Sequence, residues 1–146
     1  MDNELRQTVR ALTRLTRLVE RAAGEVGLAH YRVLSAIADG DERASRLAAR
    51  LALGKPTISA SVDALTRKGL ITREGVPGDQ RASSLRLTDA GRATLAAVES
   101  EMAAALRQIS ERAPEVRAAL AALTVLGGAI DRLRGEWQAA RDGGSR

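Results

Sequence analysis

Two short apolar stripes separated by Gly54-Lys55-Pro56, then a glycine stop and a pair of turn-linked segments, leave few folds open to the stretch from Ser45 to Gly91. Leu47, Ala48 and Leu51 recur at helical spacing, as do Ile58, Val62 and Leu65, so each segment has one face to bury against the other. Gly54 relaxes the backbone between them, while Pro56 disfavours helix at Lys55 and suits a first helical turn with its own fixed φ. The spacing predicts one helix over 45–51 and another from about Lys55-Pro56 to Lys68, with Gly69 as the stop. Leu70 to Glu74 and Ser84 to Thr88 then read as strands joined through the Pro77-Gly78-Asp79 turn signal. Leu85 and Leu87 are expected inward, and Ser84 and Arg86 outward. A helix-turn-helix with a hairpin beside it is a winged helix, an arrangement suited to placing one helix in a groove of DNA.

The unburied face of the second helix carries Thr57, Ser59, Ala60 and Asp63, with Lys55 and Pro56 at its start and Arg67 and Lys68 at its end. Short hydroxyl and methyl groups approach base edges closely, while lysine and arginine neutralise phosphates. The hairpin adds Asp79, Gln80, Arg81 and Ser83. Arg81 falls near the tip, where an arginine suits the minor groove, and Asp79 is near enough to hold its guanidinium. Each residue also has a plainer reading: Thr57 and Ser59 as caps of a helix start, Lys55, Arg67 and Lys68 as surface charges, Asp63 as a support for its neighbours, Asp79 as a turn residue.

Asp79-Gln80-Arg81, followed by Leu87-Thr88-Asp89-Ala90-Gly91, resembles the wing signature of the MarR family of bacterial transcriptional regulators. Leu47-Ala48 and Leu65 to Leu70-Ile71 fall where that family's helix-turn-helix has its apolar positions. The resemblance runs from Gly27-Leu28 to Gly91 in motif and from end to end in architecture. Arg43-Ala44 is a departure, standing where the family often has a hydroxyl residue to cap the first helix of the pair. The resemblance implies a mainly α fold with a small β-hairpin wing, in one domain over 1–146. Within it, 28–91 forms the winged helix, 1–27 and 92–141 form dimerisation helices, and 142–146 is a disordered tail. It also implies a crevice for small aromatic or anionic effectors, bordered by His30 and Tyr31.

The flanking segments support this organisation. Leu5, Val9, Leu12, Thr16, Val19, Ala23 and Val26 alternate steps of four and three, predicting a helix from Asp2 to about Val26 that Gly27 ends. A second stripe, Arg6, Arg10, Arg14, Arg17 and Arg21, shares one face; it is either a solvated basic surface or a place where Arg14 and Arg17 meet an anion. Leu28-Ala29-His30-Tyr31 opens the next helix, which stops at Asp39-Gly40-Asp41. Thr88 caps a helix carrying Leu95, Val98, Met102, Leu106 and Ile109 to about Arg112. Pro114 breaks it, and Val116, Leu120, Leu123, Ile130, Leu133 and Trp137 form a last stripe. Gly127-Gly128 marks a bend or a close helix approach within that stripe.

The terminal helices have more apolar surface than an obvious intrachain partner, which an intertwined homodimer would cover. A twofold dimer presents its two recognition helices about 34 Å apart and so selects a palindromic site. Composition agrees: 146 residues suffice for one domain, and 23 Lys+Arg against 18 Asp+Glu favour a polyanionic partner. The lack of cysteine excludes disulfides and thiolate chemistry, and with one histidine, no phosphate-binding glycine loop and no metal-ligand cluster, neither a catalytic residue nor a cofactor or metal is expected. No membrane span or signal peptide is legible, so the expected location is the cytoplasm. The expected function is a ligand-responsive, homodimeric repressor binding a palindrome in double-stranded DNA. The alternative is a DNA-binding regulator without a small effector, controlled by a protein partner or by abundance. A helical scaffold or an enzyme is the third reading.

Overall fold

The computed structural model describes residues 2–40, 43–76 and 78–143, with the side chains of 76, 79–82 and 137–143 excepted. Asp2 begins the first helix, its carboxylate accepting the Glu4 backbone N–H at 3.3 Å, and α1 runs Asn3–Ala22. It stops earlier than the expected Val26. Gly24 takes φ +56°, and its N–H and that of Ala23 return to the last carbonyls of α1. The apolar spacing continues past the break, so the pattern alone could not reveal it. Gly27, expected as the stop, instead opens α2, Gly27–Ala38.

Four short elements follow: α3 Ala44–Leu51, α4 Lys55–Arg67, β1 Ile71–Val76 and β2 Asp79–Leu87. The strands pair antiparallel, Ile71 opposite Leu87 and Arg73 opposite Leu85. They are longer than the sequence suggests because Gly78, at φ +85°, allows a tight reversal. The register then jumps from Gly75 opposite Ser83 to Val76 opposite Asp79, leaving residues 80–82 in a bulge. Gln80 and Arg81 therefore belong to β2 rather than to the turn loop.

Two helices complete the chain, α5 Asp89–Arg112 and α6 Val116–Gly143. The fold divides into two units, Met1–Ala105 and Leu106–Arg146. In the first, Val33, Leu34 and Ile37 of α2 meet Leu47 and Leu51 of α3, Ile58, Val62 and Leu65 of α4, and Ile71, Leu85 and Leu95. Each such side chain taken fully from water contributes about 1.5–3 kcal/mol, so this cluster fixes α4 and the hairpin as one body. A smaller cluster, Ala23, Val98 and Met102, lies beside it, and Tyr31 and Val26 pack against both. Two further ties hold α3 to α2: the Arg32 guanidinium donates to the Leu51 carbonyl at 3.2 Å, and Arg50 pairs with Asp39 at 2.6 Å.

In the second unit the buried Ser110 hydroxyl is satisfied by donating to the Leu106 carbonyl one turn back. Helix α6 passes through Gly127-Gly128 without a break, so the glycine pair does not interrupt the helix. It also includes Asp142 and Gly143, placed in the expected disordered tail: Gln138 to Arg141 contain no residue that would stop a helix. The remainder of that tail, 144–146, lies outside the described residues.

Candidate nucleic-acid interface

The turn between α3 and α4 explains how α4 is presented. Ala52 adopts φ +53°, and the Leu53 N–H reaches back to the Ala48 carbonyl at 3.1 Å, closing α3 in a left-handed cap. Gly54 then precedes α4 in extended conformation, and its carbonyl accepts the first helical bond from the Ile58 N–H at 3.1 Å. Arg43 precedes α3 with no side-chain cap, as its side chain has no acceptor to offer. At the far end, Gly69 at φ +69° donates to Thr66 while the Leu70 N–H reaches the Leu65 carbonyl, the paired bonds of a Schellman stop.

With Ile58, Val62 and Leu65 turned inward, the opposite ridge of α4 faces solvent. Lys55, Pro56, Thr57, Ser59, Ala60, Asp63 and Arg67 are all exposed. Lys55 and Arg67 have no ion-pair partner among the described residues, so both charges are available to a polyanion. Asp63 is engaged: its carboxylate binds the Arg73 guanidinium of β1. The expectation of a ridge residue facing DNA therefore needs a qualification, since Asp63 also ties α4 to the wing.

Sequence reading passed over Arg73, although the signal was available. Its pairing opposite buried Leu85 puts it on the inner face of the hairpin, in line with Ile71, where a charge requires a partner. The outer face carries a different pair, Arg86 to Glu74 at 3.0 Å, which stiffens the hairpin across its strands. A cavity of about 280 Å³ opens between α3, α4 and the hairpin, with Ser45, Lys55, Ser59, Arg73 and Ser83 at its rim. It thus unites three expected residues, Lys55, Ser59 and Ser83, with Arg73. Asp79, Gln80 and Arg81 lie in the first part of β2, and their side chains fall outside the described ones.

The expected effector residues are more scattered. Arg14 and Arg17 are exposed on α1, and His30 and Tyr31 are half-buried on α2. Burial, and then the Glu99 carboxylate, raise the Tyr31 phenol above its ordinary 10.0, while a hydrogen bond with Ser35 opposes them more weakly. None of these four residues lines the cavity described above or a second one of about 260 Å³, which Ile37, Leu85, Arg86 and Arg92 border. Among the described residues, no group of three His, Cys, Asp or Glu could hold a metal ion, and no helix is long and apolar enough to cross a membrane.

Comparison with known proteins bears on the whole arrangement. Residues 25–82 match the family model described as MarR family. No curated protein matches the sequence significantly. Among solved structures, a MarR family transcription regulator aligns at TM-score 0.71 and 26% identity, covering 94% of each chain. The transcriptional repressor CouR, solved bound to a 23-mer DNA duplex, aligns at TM-score 0.70 and 28% identity over 84% of this chain and 89% of its own. Wild-type MarR from E. coli, in its apo form, aligns at TM-score 0.72 over 86% of this chain and 98% of its own; at 19% identity it speaks for the fold alone.

Proposed function

We propose, for a chain that belongs to the MarR family of winged-helix transcription regulators, a role as a sequence-specific repressor that binds a palindrome in double-stranded DNA as a twofold homodimer. The observation that carries this reading is the solvent-facing ridge of α4, with Lys55, Pro56, Thr57, Ser59, Ala60 and Arg67 exposed above a fully buried Ile58, Val62 and Leu65 stripe. Buried residues hold the helix, and the ridge is left for base edges and phosphates. Arg81, in the bulged start of β2, is assigned to the adjacent minor groove, with Asp79, Gln80 and Ser83 as the other wing residues of the interface. The CouR repressor, solved on a DNA duplex, supports the reading by likeness.

Exposed leucines and valines support the dimer: Leu5 and Val9 of α1 are 59% and 58% exposed, and Val125 and Leu133 of α6 are 71% and 48%. A second copy covers these faces and spaces the two reading helices by about one turn of B-DNA, about 34 Å. A small aromatic or anionic effector near Arg14, Arg17, His30 and Tyr31 shifts that spacing and releases the operator. The alternative is control by a protein partner or by abundance, with no small effector. Either way the protein acts on chromosomal DNA in the cytoplasm.

Selection of bound fragments from random duplex DNA tests the reading, with binding repeated at two salt concentrations. The expected outcome is a palindrome with half-sites one helical turn apart, bound much less tightly by Arg81→Ala while its thermal unfolding is unchanged. Recovery of unrelated sequences, bound only through a steep salt dependence, would reduce the function to charge attraction.

A further inference from the structure

The ion pair that joins α4 to the hairpin engages a side chain of the reading face for which the repressor reading gives no task. Arg73 extends from the inner face of β1, 44% exposed, with Asp63 of α4 on one side of its guanidinium. A guanidinium has five N–H donors in a fixed fork, and one carboxylate oxygen does not exhaust them. Arg73 also lines the cavity of about 280 Å³, together with Lys55, Ser45, Ser59 and Ser83. Two cations and three hydroxyls around an open cleft match the needs of one phosphodiester group.

The cleft also lies where a strand of DNA would run. On α4, Ser59 and Asp63 sit on the wing-facing side of the exposed ridge, so a backbone following that ridge toward the hairpin crosses the Arg73 side chain. Lysine at the start of α4 and arginine on β1 would meet the phosphate from two sides. Here the carboxylate has a separate task. An arginine free to swing would meet phosphates in any register, whereas one held by Asp63 offers its donors in a single direction.

The geometry points to Arg73 as a phosphate-contacting residue of the DNA interface, and to Asp63 as the positioning residue that sets its pose and so sharpens the choice of site. This rests on the DNA-binding reading above, and the experiment separates the two. The full-length chain is titrated with the duplex recovered by selection and with a random duplex of equal length, over a range of salt. If the wild-type protein does not distinguish the two duplexes, the repressor reading itself fails. If it does, Arg73→Gln is expected to weaken both complexes alike, about tenfold, and to lower the slope of log K against log salt by about 0.9, the loss of one phosphate contact. Arg73→Lys, which keeps a point charge, should retain that slope.

Asp63→Asn is expected to behave differently. The preference for the selected duplex should fall about tenfold with no drop in salt slope, and the change should add nothing further in the Arg73→Gln background. Both groups are about half exposed, so the variants fold and unfold as the wild type does. Equal losses from Arg73→Gln and Asp63→Asn, both with the salt slope unchanged, would overturn the proposal and leave the pair as a structural tie only.

Discussion

Ala52 is the one non-glycine residue with positive φ among the described residues. It closes α3 in the left-handed region, where an L-residue costs about 1–2 kcal/mol because its Cβ crowds the following carbonyl. The side chain is exposed, so its removal sacrifices no packing. Ala52→Gly should therefore raise stability by about 1 kcal/mol, the relief at φ +53° outweighing the added freedom of the unfolded glycine; a lower denaturant midpoint would contradict this. Glycine spacing in the sequence located the turn two residues later, at Gly54, because an alanine carries no signal of left-handed geometry. Tyr31 gives a second residue-scale prediction. Its folded-state pKa is raised, so the proton is kept in the native protein and released by the unfolded chain. That contribution is present in full below pH about 10 and is lost as pH rises from there through the folded value. The urea midpoint of the wild type should fall more between about pH 9 and about pH 11 than that of Tyr31→Phe. Parallel profiles would show that the phenol does not titrate differently on folding.

At the scale of elements, the stop of α4 and the start of α5 are joined through Thr88 and two adjacent carbonyls. The Leu70 carbonyl accepts the Thr88 N–H at 3.1 Å, and the Thr88 hydroxyl donates to the Gly69 carbonyl at 2.6 Å while accepting the Gly91 N–H at 2.9 Å. Thr88 thus caps α5, as its sequence position foretells, and the same oxygen ties that cap to the stop of α4. A Cβ at Gly91 would lie 2.0 Å from the Leu70 carbonyl oxygen, which is backbone and cannot rotate away. Gly91→Ala should cost about 3 kcal/mol and lower operator affinity even where the fold survives, since the tilt of α4 against α5 must change. A variant with wild-type melting would remove the physical reason for the glycine. Periodicity made most elements legible: the two reading helices, the hairpin and α5 all lie where apolar spacing and glycine stops place them. The early end of α1 was not legible for a physical reason. A stripe that continues across a break conceals it, as at Gly24, where the expected stop at Gly27 instead opens α2. The alternation that puts Arg73 in line with Ile71 was legible, but its partner Asp63, ten residues away on another element, was not, since only tertiary structure supplies that contact.

For the whole molecule, the decisive quantity is apolar surface that one chain leaves in water. Helix α1 has no fully buried residue, although Leu5, Val9 and Leu12 share one face, and in the second unit Ile109, Val125, Leu126, Ile130 and Leu133 are exposed as well. Scattered exposed leucines are ordinary, but rows on two long helices are what interfaces are made of. If these rows form the dimer, a charge placed in one should separate the subunits without unfolding either, because the substituted side chain is already solvated in the single chain. Val9→Asp, at a position 58% exposed, should convert a dimeric mass in sedimentation to a monomeric one with helical content unchanged. DNA binding by that monomer should lose far more than half its strength. Two linked half-sites gain from effective concentration, so a lone reading head falls toward the weak affinity of a single half-site. A wild-type protein that sediments as a monomer would defeat the prediction at its first step. A Val9→Asp dimer that still binds the palindrome would place the interface elsewhere and leave the α1 row without a purpose.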